Sequence, residues 1–294
     1  MSHSFHIFLW LVIISCVSSH DDTKKYAIHT GEYFANFANS PNFGTLIDSK
    51  KNDTRMAVYK QFYDLYQGVH PYAAYAEARE AMTRYFWGMD NGVVLEIGAL
   101  DGVEASESYL LHKFFDWKRI LIEASPRFSK RLKDNSPDAT SFGTAVCAEA
   151  SEVHYIDVTG GTAGIIEFMN HRFLRKFHKY LVGVPRERWS SVQNVTAIQC
   201  LPMRTILAET RVRHINLFVL DVEGAELSVL DTIDFSAVRF DVICVETEPP
   251  GLRPEGFLAK VTQLLEKHGY VKIEAIARNN WFRHTSYQLS AMPS

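Results

Sequence analysis

Two acids flank a glycine turn at the end of a short apolar strand that the sequence predicts. Val93–Ile97 is apolar apart from Glu96, and Gly98, Asp101 and Gly102 follow it. Such a run is typical of a central parallel strand. Ligands of open α/β sheets bind at the carboxyl ends of these strands, where glycine lets the backbone come close. The pattern therefore predicts a ligand site at this turn.

The turn lacks a glycine that a dinucleotide site needs. In the Gly-x-Gly-x-x-Gly fingerprint the second glycine makes room for a pyrophosphate, and Leu100 stands at that position here. The carboxylates of Glu96 and Asp101 would repel a pyrophosphate and attract a ligand with an ammonium and a sulfonium. These residues favour S-adenosylmethionine over NAD. The alternative is a plain turn without a ligand.

Three further predicted strands also end in an acid, namely Glu123, Asp221 and Glu246. Glu123 lies 27 positions after Glu96, close to where nucleoside-binding α/β folds place the carboxylate that binds ribose hydroxyls. The alternative is an exposed acid at a strand end. Because predicted helices alternate with these strands, the fold class is α/β with a doubly wound parallel sheet. All four acids would then lie at one edge of the sheet.

The remaining elements follow from periodicity and turn residues. Ser125 and Pro126 give an N-cap and a first-position proline to a helix that runs to about Asn135. Other helices are predicted over 54–67, 72–87, 104–115, 202–209, 226–232 and 256–268. Further strands are predicted over 142–147, 153–158 and 192–200, the last as an edge strand, and 270–284 as a final hairpin. The first two helices would pack beside the sheet and have no assigned chemistry.

The amino terminus resembles a secretory signal peptide over residues 1–19. The apolar run 7–17 would span only ~16 Å as a helix, well short of the ~30 Å of a bilayer core. The sequons at Asn52 and Asn194 agree with this interpretation. The predicted location is the lumen of the endoplasmic reticulum or Golgi, or outside the cell. The alternatives are a membrane anchor by an uncleaved signal and a buried helix.

The net charge and the cysteines bear on the kind of partner and on the redox state of the protein. A net charge of −3 gives no indication of nucleic-acid binding. Cys147 and Cys200 each follow a predicted strand and are predicted to pair in an oxidising compartment. The alternative is two free buried thiols. Cys244 lies inside an apolar run and is predicted to be a core thiol.

A basic insertion is predicted at about 160–190, after a glycine-rich loop. Helical spacing would place Arg172, Arg175, Lys176 and Lys179 on one face. Such a face predicts an anionic partner or association with a membrane surface. The alternative is a solvated helix face.

The chain resembles the FkbM-type S-adenosylmethionine-dependent methyltransferases from about Val93 to His284. The strongest mark is Leu-Asp-Val-Glu-Gly-Ala-Glu at 220–226, with Val-Leu at 229–230. Cys-Leu-Pro at 200–202 and Asn-Asn-Trp at 279–281 resemble the animal secretory-pathway branch that includes the Star-like proteins. The resemblance implies a Rossmann-like class I methyltransferase domain over 90–294 with a final antiparallel hairpin. Residues 20–89 would form an arm and a helical extension.

The resemblance also implies roles for single residues. Glu96, Gly98 and Gly102 would line the methionine part of the cofactor, Glu123 would bind the ribose, and Asp221 would lie beside the transferred methyl. Many methyltransferases have glycine where this chain has Leu100. The predicted cofactor residues are Glu96, Gly98, Asp101, Gly102, Glu123 and Asp221.

Methyl transfer depends mainly on alignment of the acceptor with the sulfonium methyl, and a hydroxyl acceptor also needs a base. Asp221 and Glu223 are the predicted catalytic residues, close enough in sequence that repulsion would raise one pKa. An alternative role for Glu223 is to stabilise the start of the next helix. Asp221 and Glu246 are hard oxygen ligands, but the sequence shows no third ligand, so no metal site is predicted.

The predicted function is O-methylation of a glycan, lipid or protein hydroxyl in the secretory pathway. The resemblance also implies an alternative, because animal members of this kind act in the trafficking of membrane proteins. That alternative is a lumenal factor which keeps the methyltransferase fold and has lost the chemistry.

Overall fold

The computed structural model describes residues 57, 58, 62, 76–103, 106–158, 162–247 and 253–291. The predicted signal peptide, the sequon at Asn52 and most of the first predicted helix lie outside these residues. Among the residues described, no helix has both the length and the apolar character that a membrane crossing requires.

Eleven strands are described, with short helices between them. The strands are β1 (Val93–Ile97), β2 (Lys118–Ile122), β3 (Thr140–Phe142), β4 (Ala145–Val146), β5 (Ser151–Ile156), β6 (Gly164–Ile165), β7 (Val195–Leu201), β8 (His214–Leu220), β9 (Arg239–Glu246), β10 (Tyr270–Ile276) and β11 (Asn279–His284). The α-helices are α1 (Ala76–Glu80), α2 (Tyr109–Phe115), α3 (Pro126–Asn135), α4 (His171–Phe177), α5 (Met203–Thr210), α6 (Glu226–Asp231) and α7 (Phe257–Lys267). A π-helical turn (Ala81–Tyr85) continues α1, and 3₁₀ turns cover Ile166–Phe168, Lys179–Leu181 and Arg186–Ser191.

The larger sheet has seven strands in the order β3-β2-β1-β8-β9-β11-β10. Its pairs from β3 to β9 are parallel, whereas β11 runs antiparallel to both β9 and β10. This confirms the predicted α/β sheet with a final antiparallel hairpin.

Apolar side chains cover both faces of this sheet, as a central parallel sheet requires. Along β8, Phe218 and Leu220 belong to one buried cluster, and Leu217 and Val219 belong to the cluster on the other face. The second cluster also contains Met82 and other residues of α1 and the turn that follows it. The described part of the second predicted helix therefore packs beside the sheet.

The smaller sheet has four strands in the order β4-β7-β5-β6. Two predictions about it are wrong. The strand predicted over 142–147 is split between the two sheets, because the chain turns at Gly143 and Thr144, whose hydroxyl donates to the Gln199 carbonyl at 3.0 Å. The predicted edge strand is β7, which lies inside the sheet because it pairs with both β4 and β5.

A disulfide joins Cys147 to Cys200, with their Cα atoms 5.8 Å apart. This confirms the predicted pair, and the bond ties β7 to the end of β4. Cys244 is a free, buried thiol, as predicted.

The helix that follows β2 has the predicted bounds, and its N-cap is confirmed, since Ser125 Oγ accepts the Phe128 N–H at 3.4 Å. Two other helices are shorter than predicted. The described part of the 104–115 segment becomes helical only at Tyr109. In the basic insertion α4 ends at Phe177, and Lys179 lies in a separate 3₁₀ turn, so the four predicted basic residues do not share one continuous helix.

Candidate active site

The carboxyl ends of four adjacent parallel strands form one edge of the larger sheet. In spatial order these strands are β2, β1, β8 and β9, and the acids Glu123, Glu96, Asp221 and Glu246 lie at or just beyond their ends. The loops stay paired beyond the strands, because the Gly98 N–H donates to the Ile122 carbonyl and the Asp221 N–H to the Ile97 carbonyl. The prediction that one sheet edge brings these acids together is confirmed.

Gly98 is required by a close approach between two strand ends. Its φ is +93°, and a Cβ placed there would lie 2.1 Å from the Asp221 carbonyl oxygen. Leu100 also has a left-handed φ, +49°, which costs a residue with a Cβ roughly 1–2 kcal/mol. Its N–H donates to Glu123 Oε2 at 2.8 Å. The backbone at Leu100 therefore positions the carboxylate that is predicted to bind the ribose.

The carboxylate of Glu96 accepts four hydrogen bonds from the protein. It accepts the Ser106 hydroxyl at 2.8 Å, the Glu107 N–H at 2.7 Å, and both the N–H and the hydroxyl of Ser108. Glu96 therefore organises the entry to α2, which explains why that helix begins later than predicted. This geometry gives its predicted cofactor role no support.

Asp101 and Gly102 are explained by the packing of the turn on α3. The Asp101 carboxylate lies 2.9 Å from Arg131 and accepts the Val103 N–H at 3.1 Å. A Cβ at Gly102 would lie 2.7 Å from Leu132 Cδ1. Both residues thus fit their surroundings without a ligand.

Glu123 is a buried carboxyl with one backbone hydrogen bond to each oxygen. Oε2 accepts the Leu100 N–H at 2.8 Å, and Oε1 accepts the Ser125 N–H at 2.6 Å. Burial raises the pKa of Glu123 to about 7, although both hydrogen bonds lower it. Each oxygen keeps a second lone pair, so this carboxyl can still accept two hydroxyls.

Asp221, Glu223 and Glu246 bring one carboxylate oxygen each within 4.8 Å of one another. Glu223 is therefore a third carboxylate beside Asp221 and Glu246, which the sequence did not indicate as a ligand. Such oxygens are a donor set for a hard divalent cation. They also suit any cationic group that enters this edge of the sheet.

Burial and repulsion favour protons on two of these carboxyls, Glu223 and Glu246. Burial, followed by repulsion from Asp221, raises the pKa of Glu223 to about 8. Burial and then repulsion from Asp221 and Glu223 raise the pKa of Glu246 well above its ordinary value. The predicted elevation of one pKa by crowding is therefore present at Glu223.

Two arginines compensate the buried carboxylates. Arg253 Nη2 lies 2.9 Å from Glu226 Oε1 and 2.8 Å from Glu246 Oε2, and Nη1 lies 3.9 Å from Glu223 Oε2. Arg278 Nη1 lies 3.3 Å from Glu246 Oε1. Arg253 is 7% exposed, so this arrangement lies in a poorly solvated part of the protein where charge interactions are strong.

Glu223 does not cap α6. The N-cap of α6 is Ala225, and no side chain caps it. Glu226 satisfies the turn instead, since its Oε1 accepts the Gly224 N–H at 3.1 Å. Glu223 lies in this turn with a left-handed φ of +52°, and its carboxylate remains available for chemistry.

Two acids that the sequence analysis did not single out complete the site. Glu77 comes from α1 in the helical extension and accepts a hydrogen bond from the Asn279 amide. Glu107 Oε2 is buried, and burial and then repulsion from Glu77 raise the pKa of Glu107 well above its ordinary value. Glu77 lies in a helix rich in Ala, Glu and Arg, so nothing in its spacing marks it. The only indication was Asn279, which belongs to the Asn-Asn-Trp motif.

The base of the basic insertion, residues 164–168, lies against the Glu223–Gly224 turn. A Cβ at Gly164 would lie 3.8 Å from the Glu223 Cβ, and one at Gly224 would lie 3.4 Å from the Phe168 carbonyl oxygen. The smaller sheet and the insertion therefore form one wall of the site.

Three solved structures to which the chain is similar are distant from it in sequence. Methyltransferase FkbM from Methylobacillus flagellatus KT is 13% identical with a TM-score of 0.39, covering 66% of this chain and 43% of that one. A TehB-like SAM-dependent methyltransferase from Corynebacterium glutamicum is 11% identical with a TM-score of 0.37, covering 79% and 98%. Precorrin-6y C5,15-methyltransferase from Geobacter metallireducens is 12% identical with a TM-score of 0.34, covering 71% and 84%. No curated protein matches the chain.

The methyltransferase FkbM domain matches residues 96–272, which is more than half of the chain. The matched region begins at Glu96 and contains the other three strand-end acids as well as the basic insertion. The chain therefore belongs to the FkbM methyltransferase family, and its cofactor is S-adenosylmethionine.

Proposed function

We propose that this methyltransferase transfers a methyl group to a hydroxyl oxygen of an acceptor in the secretory pathway. One observation carries the proposal. The carboxylates of Asp221 and Glu223 approach within 4.8 Å at the carboxyl end of β8, beside the Gly98 turn. A pair of carboxyls at this place can take the proton that a hydroxyl must lose when it is methylated.

The residues present suit a cofactor with two cationic groups and a ribose. Glu123 has lone pairs left for two hydroxyls. The Glu107 carboxyl is buried, and repulsion and a hydrogen bond from Glu77, with repulsion from Glu96 and Asp221, favour a proton on it. A cation that entered here would replace such a proton.

When bound, S-adenosylmethionine supplies an activated methyl group on its sulfonium. The protein must hold the acceptor oxygen in line and remove its proton. Glu223, whose pKa is raised to about 8, is the proposed base at its carboxylate oxygens. A cation bound beside Asp221 would lower that pKa towards neutrality, where a base is most effective. Asp221 would hold the acceptor hydroxyl, and Arg253 would keep the Glu223 side chain in place.

The test is methyl transfer from labelled S-adenosylmethionine to hydroxyl-bearing glycans, lipids and peptides, with the product bond identified by mass spectrometry. Loss of a general base typically costs 10²–10⁴-fold in rate, so Glu223→Gln should lose activity by that factor while cofactor affinity is kept. Glu266→Gln on the exposed face of α7 is the matched control and should be fully active. Methyl groups found on nitrogen or carbon, or full activity of Glu223→Gln, would refute O-methylation by this base.

Three features support the secretory location. The disulfide is of a kind that persists in oxidising compartments. In the second sequon Asn194 is exposed, with a left-handed φ of +65° directly before β7, and Thr196 is also exposed. The Cys-Leu-Pro motif at 200–202 resembles the Star-like branch.

Expression in animal cells tests this location. We expect the wild type to lose mass on treatment with an N-glycosidase, and Asn194→Gln to lose less. A chain that carries no glycan and keeps Cys147 and Cys200 reduced in the cell would contradict it.

A second proposal is a methyltransferase-fold factor in lumenal trafficking that has lost catalysis. The observation in its favour is Glu96, whose carboxylate accepts four hydrogen bonds from the entry to α2. Binding of S-adenosylmethionine separates the two proposals, because only the enzyme requires it.

A further inference from the structure

We propose that the basic insertion seats this protein on an anionic lipid bilayer surface. The surface has two parts. The first is α4, and the second is the segment 179–183 that follows it, here called the insertion tip. This inference is independent of the proposed chemistry, because it depends on a different part of the molecule.

The basic insertion carries a concentrated positive charge. Residues 171–191 contain six Lys or Arg side chains and one acid, Glu187, a net charge of +5 in a chain whose overall charge is −3. Arg172, Arg175, Lys176 and Lys179 are all exposed. Each basic residue near an anionic bilayer contributes roughly fivefold to its affinity.

Large apolar side chains are exposed at the same place. Four large hydrophobic side chains are exposed among the described residues, and two of them lie in the insertion tip: Tyr180 is 53% exposed and Val182 is 37% exposed. Gly183 follows with a φ of +85°, and a Cβ added there would meet nothing within 4 Å. The tip therefore presents an aromatic and an aliphatic side chain beside a group of cations.

Buried contacts hold α4 and the insertion tip in place. Phe173 and Leu181 are buried in one apolar cluster with Ile156 and Val195 of the smaller sheet. On the inner side of the tip, the buried His178 imidazole is 2.7 Å from the Thr162 carbonyl oxygen. Tyr180 and Val182 are thus exposed by the fold itself.

Further contacts fix the segment after the tip. Glu167 Oε1 lies 2.8 Å from His154 Nδ1 and 3.1 Å from Arg186 Nη2, and Trp189 Nε1 donates to the Val184 carbonyl at 2.9 Å. Because both ends of the tip are anchored, the charges and the apolar side chains are presented together.

This combination favours a bilayer over a soluble polyanion. An acidic glycan would engage the cations and leave Tyr180 and Val182 in water. A bilayer offers anionic headgroups for the cations and, next to them, an apolar layer for the side chains, and tyrosine is enriched at this boundary. Since the base of the insertion contacts the Glu223–Gly224 turn, docking would bring the acidic site close to the membrane surface.

The test is co-sedimentation of the full-length protein with vesicles of phosphatidylcholine alone or with 30% phosphatidylserine or phosphatidylinositol (about a third anionic lipid, enough to give a negative surface potential). We expect binding to the anionic vesicles only, with weakening as salt shortens the screening length below ~10 Å. Arg175→Glu/Lys179→Glu should reduce affinity at least tenfold. Tyr180→Ser/Val182→Ser should reduce it severalfold at unchanged charge.

The matched control is Lys260→Glu/Lys267→Glu on α7, which changes the net charge equally at exposed positions away from the insertion. It should bind like the wild type. Three outcomes would overturn the proposal: equal loss in this control, absence of wild-type binding, or vesicle binding unaffected by Tyr180→Ser/Val182→Ser. The last outcome, together with tight binding to heparin, would assign the surface to acidic polymers. Thermal unfolding shows whether each variant is folded, and Arg175→Gln/Lys179→Gln, with an expected intermediate loss, provides a second reading.

Discussion

The acidic edge of the larger sheet and the basic insertion on the smaller sheet are both rich in one charge, and they hold it in opposite ways. At the acidic edge Glu123, Glu226 and Glu246 are buried, and arginines, backbone N–H groups and raised pKa values offset the cost of burial. In the insertion the basic side chains are exposed. Buried like charges are costly to keep, so the acidic edge resembles a site prepared for a cation. The exposed cations cost little because water solvates them.

The largest expected effect comes from removing the cation at the acidic edge. Arg253→Met leaves the carboxylates of Glu226 and Glu246 buried without their shared partner. Breaking a buried ion pair in this way costs about 3–5 kcal/mol. The measurement is chemical unfolding at pH 8, where fewer carboxyls can be rescued by a proton. Lys260→Met on the exposed face of α7 serves as the control. A loss of unfolding free energy below 1 kcal/mol for Arg253→Met would show that bound protons already neutralise these carboxylates.

The stability of the smaller sheet depends on its disulfide, whereas that of the acidic edge depends on buried ion pairs. Cys147 and Cys200 are 53 residues apart, and closing such a loop stabilises a fold by about 2–4 kcal/mol. Cys147→Ser/Cys200→Ser should lower the free energy of unfolding by that amount, and a reductant should have the same effect on the wild type. If the reductant does not shift the unfolding midpoint, the bond contributes no stability.

The raised pKa of Glu123 predicts the direction of a pH dependence. Its folded pKa of about 7 exceeds its ordinary value of 4.5, so the folded state binds more protons between these limits. The stability that Glu123 contributes is present in full below pH 4.5 and is lost as the pH rises through 7, about 3 kcal/mol in all.

Chemical unfolding of the cofactor-free protein between pH 5 and 8 (roughly the window between the two pKa values) measures this effect. Glu123→Ala should flatten the slope, whereas Glu266→Ala on exposed α7 should leave it unchanged. A wild-type protein whose stability rises across this interval would contradict the assignment.

The smallest stability effect is expected in the insertion. Arg175→Glu/Lys179→Glu changes exposed charges outside any buried pair. Surface substitutions of this kind usually change stability by no more than ~0.5 kcal/mol. Calorimetric unfolding of this variant against the wild type measures it. A loss above 1 kcal/mol would mean that these side chains hold the insertion together and are not free for a partner.

The sequence predicted the parts of this site that follow from strand patterns. Apolar runs that end in acids define β1, β2, β8 and β9, and topology alone brings those ends together. The Ser125-Pro126 pair fixed the start of α3 because capping is a local interaction. The pairing of Cys147 with Cys200 was predicted because both lie at the ends of predicted strands and the predicted compartment is oxidising.

What the sequence did not predict depends on contacts between distant segments. The role of Glu96 is set by Ser106 and Ser108, whose hydroxyls gave no periodic signal. Glu77 reaches the site only because α1 packs on the final hairpin. The strand over 142–147 was divided because Thr144 bonds to Gln199 in another sheet, a contact that no local pattern reveals.

Calorimetric titration of the protein with S-adenosylmethionine, for the wild type and for Glu123→Ala, tests the central claim most directly. Hydrogen bonds to a charged group are worth about 1.5–3 kcal/mol each, so loss of the two ribose bonds should weaken binding more than tenfold. We therefore expect clear binding by the wild type and an affinity lower by that factor in the variant. Equal affinities would show that Glu123 does not bind the ribose, and absence of binding by the folded wild type would contradict a cofactor site at this sheet edge.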